Sequence, residues 1–331
     1  MNRIKELTVI FSLILFGILT IWSKLQIDKL SDQQMALRWD AEGDSAQVSC
    51  FFAENVEIDE FMIKSFEKKL EQSLTEVLPQ EESDKENDKR LFIDAYSSLG
   101  NITVTSDKGK LEEASAVGIG GDFFQFHPLQ LISGRYFSGN ELMKDSIILD
   151  EDAAWQLFGS NDIDGMTVMI GGVPHYVAGV VRRPEGRLAR SAGLDKTIVY
   201  VSHETLSGYG KTDGISSYEV VAPDPVKRFV YNFVKEKMGV DEKNMIVVEN
   251  SSRYLPETLI PVMLDFGTRS MQNTSVRFPY WENIARGWED VFALVLLLRG
   301  LLLLIPTVIM IIFIARKWRK KNKSQCYQEE L

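Results

Sequence analysis

The sequence predicts an α+β fold: a domain with helices on one face of a sheet, flanked by two transmembrane helices, and three observations carry that reading. Two apolar runs stand near the ends of the 331-residue chain. Between them, strand and helix patterns alternate at both ends of residues 24–290. A small, mostly β insert, about residues 134–204, interrupts that alternation.

The first run, Leu7 to Ser23, has 17 residues and no charge. At about 1.5 Å rise per residue it covers about 26 Å, near the lower limit for crossing a bilayer. Arg3 and Lys5 precede it and Trp22 marks its far edge, where an interfacial aromatic is expected. A secretory signal peptide is the competing reading, but no small-x-small cleavage site follows, so a retained anchor is expected. The second run, Val291 to Ala315, is 25 residues long, more than a buried soluble helix needs. It contains Arg299 and Pro306. Arg299 either snorkels to the outer headgroups, leaving Gly300–Ala315 as the core span, or faces a partner helix carrying an acid. Pro306 is tolerated in a membrane helix and is expected to kink it.

Charge then orients the chain. The tail, residues 316–331, carries six Lys/Arg against two Glu, and residues 1–6 carry two basic residues against one acid. Both ends are therefore expected in the cytoplasm, with the large domain outside a cell membrane. Residues 24–290 hold 28 basic and 44 acidic residues, a net charge of −16. Such a domain repels phosphate, which excludes nucleic acid as its partner. The basic stretch Arg316–Lys323 suits either anionic lipid or a stop-transfer signal. In this topology Cys50 and Cys326 lie on opposite faces of the membrane, so apolar burial rather than a disulfide must hold the outer domain.

Taken in order, residues 27–39 predict a helical stalk and Ala46–Ala53 a strand. Asp59 predicts the cap of a helix over Glu60–Val77, with Phe61, Ile63, Phe66, Leu70 and Leu74 at helical spacing. Gln80–Lys89 is a charge-dense loop whose acids match no coordination spacing. Strands are expected at Leu91–Tyr96, Asn101–Thr105, Leu111–Ile119 and Ser146–Leu149. Asp150 is the natural N-cap of a helix over Glu151–Phe158, which Gly159 ends. Thr167–Ile170 and His175–Val181, joined through Gly171-Gly172, read as a hairpin, and Thr197–Val201 as a strand. Tyr218–Val221 is a further strand. Asp224-Pro225 predicts a helix over Val226–Met238, and Met245–Val248 the last strand. Tyr254–Met271 is helical by pattern.

No catalytic constellation emerges. The three histidines, His127, His175 and His203, share no ligand spacing, and His175, alternating within a strand, is expected at the surface or in a turn. Gly208 to Thr212 falls short of a phosphate loop because Thr205 stands where glycine is required. Ser146 and Ser191 lack a nucleophile-elbow frame. The triplets starting at Asn101, Asn250 and Asn273 fit a glycosylation acceptor, which matters only in a eukaryotic secretory pathway. The expectation is a protein that is not an enzyme and binds neither cofactor nor metal.

One stretch goes beyond pattern. Residues 120–181 contain G-R-Y-F, then D-E-D-A-A-W-Q-L-F-G, then I-D-G-M-T-V-M-I-G-G-V-P-H-Y-V-A-G-V-V. This resembles the extracytoplasmic core domain of ABC permeases of the macrolide-exporter (MacB/FtsX-like) type. The positions that carry it are Gly134, Arg135 and Phe137; Asp150, Ala154, Leu157, Phe158 and Gly159; Gly165, Val168 and Ile170; and Tyr176, Val177, Gly179 and Val180. The resemblance implies structural roles for them: glycines at turns, apolar residues in a small core, Arg135 paired with an acid. The layout read from the residues, with 1–6 inside, spans at 7–23 and 291–315, the outer domain over 24–290 and a cytoplasmic tail over 316–331, matches the front of that family. The resemblance implies a porter-like α+β core domain interrupted by the smaller β-rich insert. It also implies a bacterial permease-like or accessory subunit that couples a cytoplasmic ATP-binding cassette partner, and other permease subunits, to the outer domain. The usual permease of that type has four spans and a cytoplasmic coupling segment. With two spans and a 16-residue tail here, the alternative is a stand-alone surface binding or sensor protein without transport.

Overall fold

The structure is a computed structural model and describes residues 3–41, 44–78, 90–269 and 276–329. The loop expected at 80–89 and the triplet at Asn273 lie outside the described residues. The chain divides into two compact units. A helical unit comprises Met1–Lys29, Tyr254–Met271 and Trp288–Leu331, and a sheet unit comprises Leu30–Arg253 and Gln272–Gly287.

Helix α1 (Arg3–Ile27) contains the first apolar run. The expected stalk does not form a continuous helix. A 3-10 turn (Ser31–Gln33) and α2 (Met35–Trp39) replace it, and Met35 and Ala36 are buried in the sheet unit's core. Strand β1 (Ser45–Phe52) leads to α3 (Glu60–Val77), where the Asp59 carboxylate accepts from the Met62 amide as predicted. Ile63, Phe66, Leu70 and Leu74 form the buried stripe of α3, whereas Phe61 faces solvent.

Two predicted strands fuse into one, β2 (Ile93–Thr105), which pairs with β3 (Lys110–Gly121). The serines and glycine at 97–100 looked like a break. Ser97 instead meets the Ser217 hydroxyl, and a side chain at Gly100 would collide with the Lys211 carbonyl oxygen of a neighbouring strand. Next come α4 (Phe123–Phe126) and β4 (Gln130–Gly134). Strand β5 (Ser146–Asp150) runs into α5 (Glu151–Phe158), capped by Asp150 and closed by Gly159 in the left-handed region. Strands β6 (Thr167–Ile170) and β7 (Val173–Arg182) form the predicted hairpin, with Gly171 and Gly172 both at positive φ.

After α6 (Arg187–Ser191) come β8 (Ile198–Ser202), α7 (His203–Tyr209), β9 (Lys211–Thr212) and β10 (Ser217–Pro223). Helix α8 (Phe229–Lys237) begins three residues later than Asp224-Pro225 predicted. The Asp224 carboxylate reaches forward to the amides of Arg228 and Val230, and Arg228 takes a left-handed conformation at the junction. Strand β11 (Met245–Glu249) follows. The helix expected over 254–271 divides at Asp265 into α9 (Pro256–Leu264) and α10 (Phe266–Arg269). The 50-residue α11 (Tyr280–Glu329) holds the second apolar run, with Pro306 inside it.

All eleven strands of the described residues join one mixed sheet, in the order β11-β1-β10-β2-β3-β8-β5-β7-β4, with β6 pairing β2 and β7, and β9 pairing β2. One apolar cluster packs α3 and α8 on β1, β10 and β2. A second, built on Phe123, Phe124, Phe126, Tyr200 and Trp281, includes α2, α4 and the first residues of α11. A third buries α5 against β5, β7 and β8.

In the helical unit, Lys5–Ile27 and Tyr280–Trp318 are long and apolar enough to cross a membrane. The Ser12 hydroxyl donates to the Leu302 carbonyl, joining α1 to α11. The Arg299 guanidinium lies over the Phe16 ring, 5.1 Å from its centre. It therefore faces the other apolar helix of its own unit through a cation–π contact.

Candidate functional site

Strand β1 is buried at every position. Its period of two puts Ala46, Val48, Cys50 and Phe52 into the apolar cluster under α3 and α8. Gln47 and Ser49 consequently point to the opposite face, which is also covered, so they must find partners there. Strand β10 repeats the pattern, with Tyr218, Val220 and Ala222 on the apolar side and Glu219 on the other. Register pairs Ser49 with Glu219.

From these residues a continuous buried network extends. Ser49 Oγ donates to Glu219 Oε1 at 2.7 Å and accepts from Asn250 Nδ2 at 2.6 Å. Arg253 Nη1 donates to Asn250 Oδ1 at 3.3 Å and to Gln33 Oε1 at 3.2 Å. The same guanidinium meets Glu282 in a two-pronged pair, both contacts at 2.7 Å, with side chains 1% and 2% exposed. On the other side Glu219 Oε2 pairs with His127 Nε2, and His127 Nδ1 stands 3.7 Å from Asp32 Oδ1. Gln47 accepts from the Met35 amide at 2.8 Å and donates to the Asp32 carbonyl at 2.7 Å.

The His127 ring is wedged against Trp281, at 4.4 Å between centres, and against Phe123 at 4.7 Å. Burial opposes a charge on this imidazole. The carboxylates of Glu219 and Asp32 outweigh it and push the pKa up to about 9. At neutral pH the network holds an imidazolium between two acids and a guanidinium against a third.

The chemistry available here is cohesion, not turnover. His127, Glu219, Ser49, Arg253 and Glu282 are all buried, so no substrate reaches them. What the network joins is informative. Asp32, Gln33 and Met35 follow the first apolar helix within a few residues, and Glu282 belongs to the helix that carries the second apolar run. Both segments are fixed to one face of one sheet. Elsewhere, Ser98 Oγ lies 2.9 Å from His203 Nδ1, the reach of a nucleophile–base pair. Ser98 is fully buried, however, and burial lowers the His203 pKa. Contrary to its expected surface position, His175 is buried against α7: its Nδ1 contacts the Val173 carbonyl and its Nε2 lies 3.3 Å from Thr205 Oγ1. Among the described residues no three His, Cys, Asp or Glu side chains converge as metal ligands.

The motif residues lie in a different part of the sheet unit from the network. Ala154, Leu157, Val168, Ile170, Val177 and Val180 are buried in the third cluster, with Phe158 packed against it, and Phe137 is in the second. Asp150 accepts from the amides of Ala153 and Ile198 and lies 3.7 Å from Arg183 Nε. Arg135 and Tyr176 are exposed, and Arg135 lies 3.5 Å from Glu141. A side chain at Gly179 would press within 2.8 Å of the Arg135 carbonyl oxygen. Gly134 and Gly165 both have positive φ, but a Cβ at Gly134 would meet the Ala178 carbonyl oxygen at 2.2 Å, whereas at Gly165 it would meet open space. Gly165→Ala should therefore cost about 1 kcal/mol for the left-handed backbone alone, and Gly134→Ala about 2 kcal/mol. Denaturant midpoints of the two variants measure the difference; equal losses would remove the close approach from the account.

Of the network, the sequence offered His127 as a histidine without a ligand cluster and offered nothing for Glu219, Arg253 or Glu282. The available signal was the alternation Gln47–Val48–Ser49–Cys50, which reads as a half-exposed strand until both faces are known to be covered.

Comparison with known proteins places the fold in a family. Residues 52–228 match the MacB-like periplasmic core domain. The macrolide export ATP-binding/permease protein MacB of Chromobacterium violaceum is 34% identical over 70 residues, 20% of this chain and 11% of that protein. MacB of Agrobacterium fabrum is 25% identical over 162 residues, 46% of this chain and 24% of that protein. The chain thus spans a quarter or less of these curated relatives. Among solved structures, the periplasmic region of MacB from Actinobacillus actinomycetemcomitans superposes with a TM-score of 0.43 at 17% identity, covering 69% of this chain and 93% of that one. The extracellular domain of the noncanonic ABC-type transporter YknZ from Gram-positive bacteria gives a TM-score of 0.39 at 17% identity, covering 61% and 99%. The family match alone takes in more than half of the sequence, and on it the chain belongs to the family of MacB-like periplasmic core domains.

Proposed function

We propose that the chain is a permease-like or accessory membrane subunit of an ABC-type transporter or mechanotransmission assembly. In this reading both termini are cytoplasmic and the sheet unit is extracytoplasmic. The spans associate with other permease subunits, and a cytoplasmic ATP-binding cassette subunit drives the assembly. The motif residues Gly134, Arg135, Phe137, Asp150, Ala154, Leu157, Phe158, Gly159, Gly165, Tyr176, Gly179 and Val180 serve the fold of the core domain, and Arg299 serves contact between membrane helices.

The observation that supports this most is the buried network. A binding domain that only needs tethering can hang from flexible linkers. Here the segments adjoining both apolar helices are locked to one sheet face by a buried two-pronged ion pair and a charged histidine. In this reading displacement of either segment is carried into the sheet, because packed interiors deform little.

Affinity purification of the intact chain from mild detergent, after cross-linking in native membranes, tests the reading. A cassette ATPase and a polytopic permease are expected to co-purify. Recovery of the chain alone, with the cross-linker shown to act on a known complex in the same membranes, would favour the stand-alone binding protein instead.

A further inference from the structure

Helices α9 and α10 belong to the helical unit together with both apolar runs. Their exposed surface is unlike that of a water-facing helix. Leu255, Ile260, Leu264 and Phe266 are all exposed, Leu264 at 79%, and within α9 only Leu259 is buried. Helical spacing sets Ile260 and Leu264 on one face, with Pro256 and Glu257 one turn before. No lysine or arginine occurs between Tyr254 and Thr268. A surface helix in water carries polar residues on such a face.

The same unit marks where its apolar zone begins. Trp22 is the last residue but one of the first apolar run and Phe292 the second residue of the other, and their rings lie 6.3 Å apart. Trp288 stacks on Phe292 at 5.3 Å, and Tyr254 meets Phe292 edge-on at 5.1 Å. Four aromatic rings clustered at the ends of two apolar helices are the pattern of a membrane–water boundary. Tyr254 is the last residue before the exposed apolar stretch starts, so that stretch is continuous with the boundary.

The geometry points to α9 and Phe266 lying in the outer headgroup–acyl boundary of the bilayer, as an interfacial helix hung from the aromatic belt. At nine residues, about 14 Å, α9 is too short to cross the hydrocarbon and suited to lying in the interfacial plane. Glu257 and Asp265 lie between Arg253 and Arg269, a balance of two acids and two bases that suits a zwitterionic lipid surface rather than a strongly anionic one. This contact does not depend on the chain having an ATPase partner.

Site-directed spin labelling of the full chain in phosphatidylcholine vesicles tests it. Labels are placed singly by Ile260→Cys, Leu264→Cys and Phe266→Cys, with Leu142→Cys, 98% exposed, as the water control. Cys326→Ser removes one native thiol, and Cys50 is fully buried and stays unlabelled. Collisions with a water-soluble nickel chelate should be about tenfold fewer at the three positions than at Leu142, because a polar solute is excluded from the apolar boundary, while collisions with oxygen persist. Equal access of the chelate to Leu264 and Leu142 would overturn the proposal. So would shielding of all three labels from both oxygen and chelate, which would mean that a protein surface covers the face. Three independent positions keep the outcome readable if one variant fails to fold.

Discussion

Glu282→Ala should lower the stability of the sheet unit by about 3–5 kcal/mol. The change removes the carboxylate from a guanidinium that has almost no access to water, and the stranded charge, more than the lost bond, sets the cost. Replacing both partners, Arg253→Met with Glu282→Leu, should recover most of that loss, because an apolar pair of similar size needs no compensation in the interior. Thermal unfolding of the detergent-solubilised chain reads both variants. A Glu282→Ala penalty below about 1 kcal/mol would mean that the pair is hydrated, and the network would lose its central joint.

The double variant also separates stability from function. Its fold should be retained, while the hydrogen bonds from Arg253 to Gln33 and Asn250 are removed, and with them one link between the segment after α1 and the sheet. If the joints transmit motion, hydrogen exchange in residues 30–39 should accelerate in this variant while β2 and β3 remain protected. Unchanged exchange at 30–39 would leave Gln47, through Met35 and Asp32, as the sufficient clamp.

How much of this was legible in the sequence follows from the range of each interaction. The caps at Asp59 and Asp150, the left-handed Gly159 and the Gly171-Gly172 turn are decided within four residues, and each forms as read. Local signals misled where a distant partner overrode them. The expected strands left residues 97–100 between them, but Ser217 and His203 satisfy Ser97 and Ser98 inside one continuous strand. Asp224 looked like a cap adjoining a proline at the first helical position, yet the helix begins only after Arg228. The candidate site is the extreme case. Arg253 and Glu282 are 29 residues apart and His127 and Glu219 are 92 apart, and no spacing rule links either pair. The sequence showed His127 as a histidine without a ligand cluster and the other three only as charges within an acidic domain.

Raising the pH should weaken the sheet unit progressively from about pH 4 to about pH 9, an unusual direction for an acidic domain. Two groups set the slope. His127 rises from an ordinary 6.5 to about 9 in the fold, so its contribution is complete below pH 6.5 and disappears as pH passes 9. By linkage that contribution is of the order of 3 kcal/mol. Asp94 is raised to about 7, first by burial and then by the neighbouring carboxylate of Glu67. A carboxyl raised in the fold favours folding only while protonated, so its contribution is present below about pH 4 and lost by pH 7. Asp150, raised by burial, acts with the same sign, and His203, lowered by burial, opposes the two carboxyls only below pH 6.5. Denaturant midpoints measured from pH 5 to pH 9.5 should fall throughout. His127→Gln should flatten the limb above pH 6.5 and leave the lower one, and Asp94→Asn should do the reverse. The two limbs are separable because the groups occupy opposite sides of the sheet, Asp94 on the side of Glu67 and Tyr218, His127 on the side of Trp281. A stability maximum near pH 8, or a His127→Gln profile that keeps its slope between pH 6.5 and 9, would show that the imidazole is neutral in the fold and that Glu219 is held by other donors.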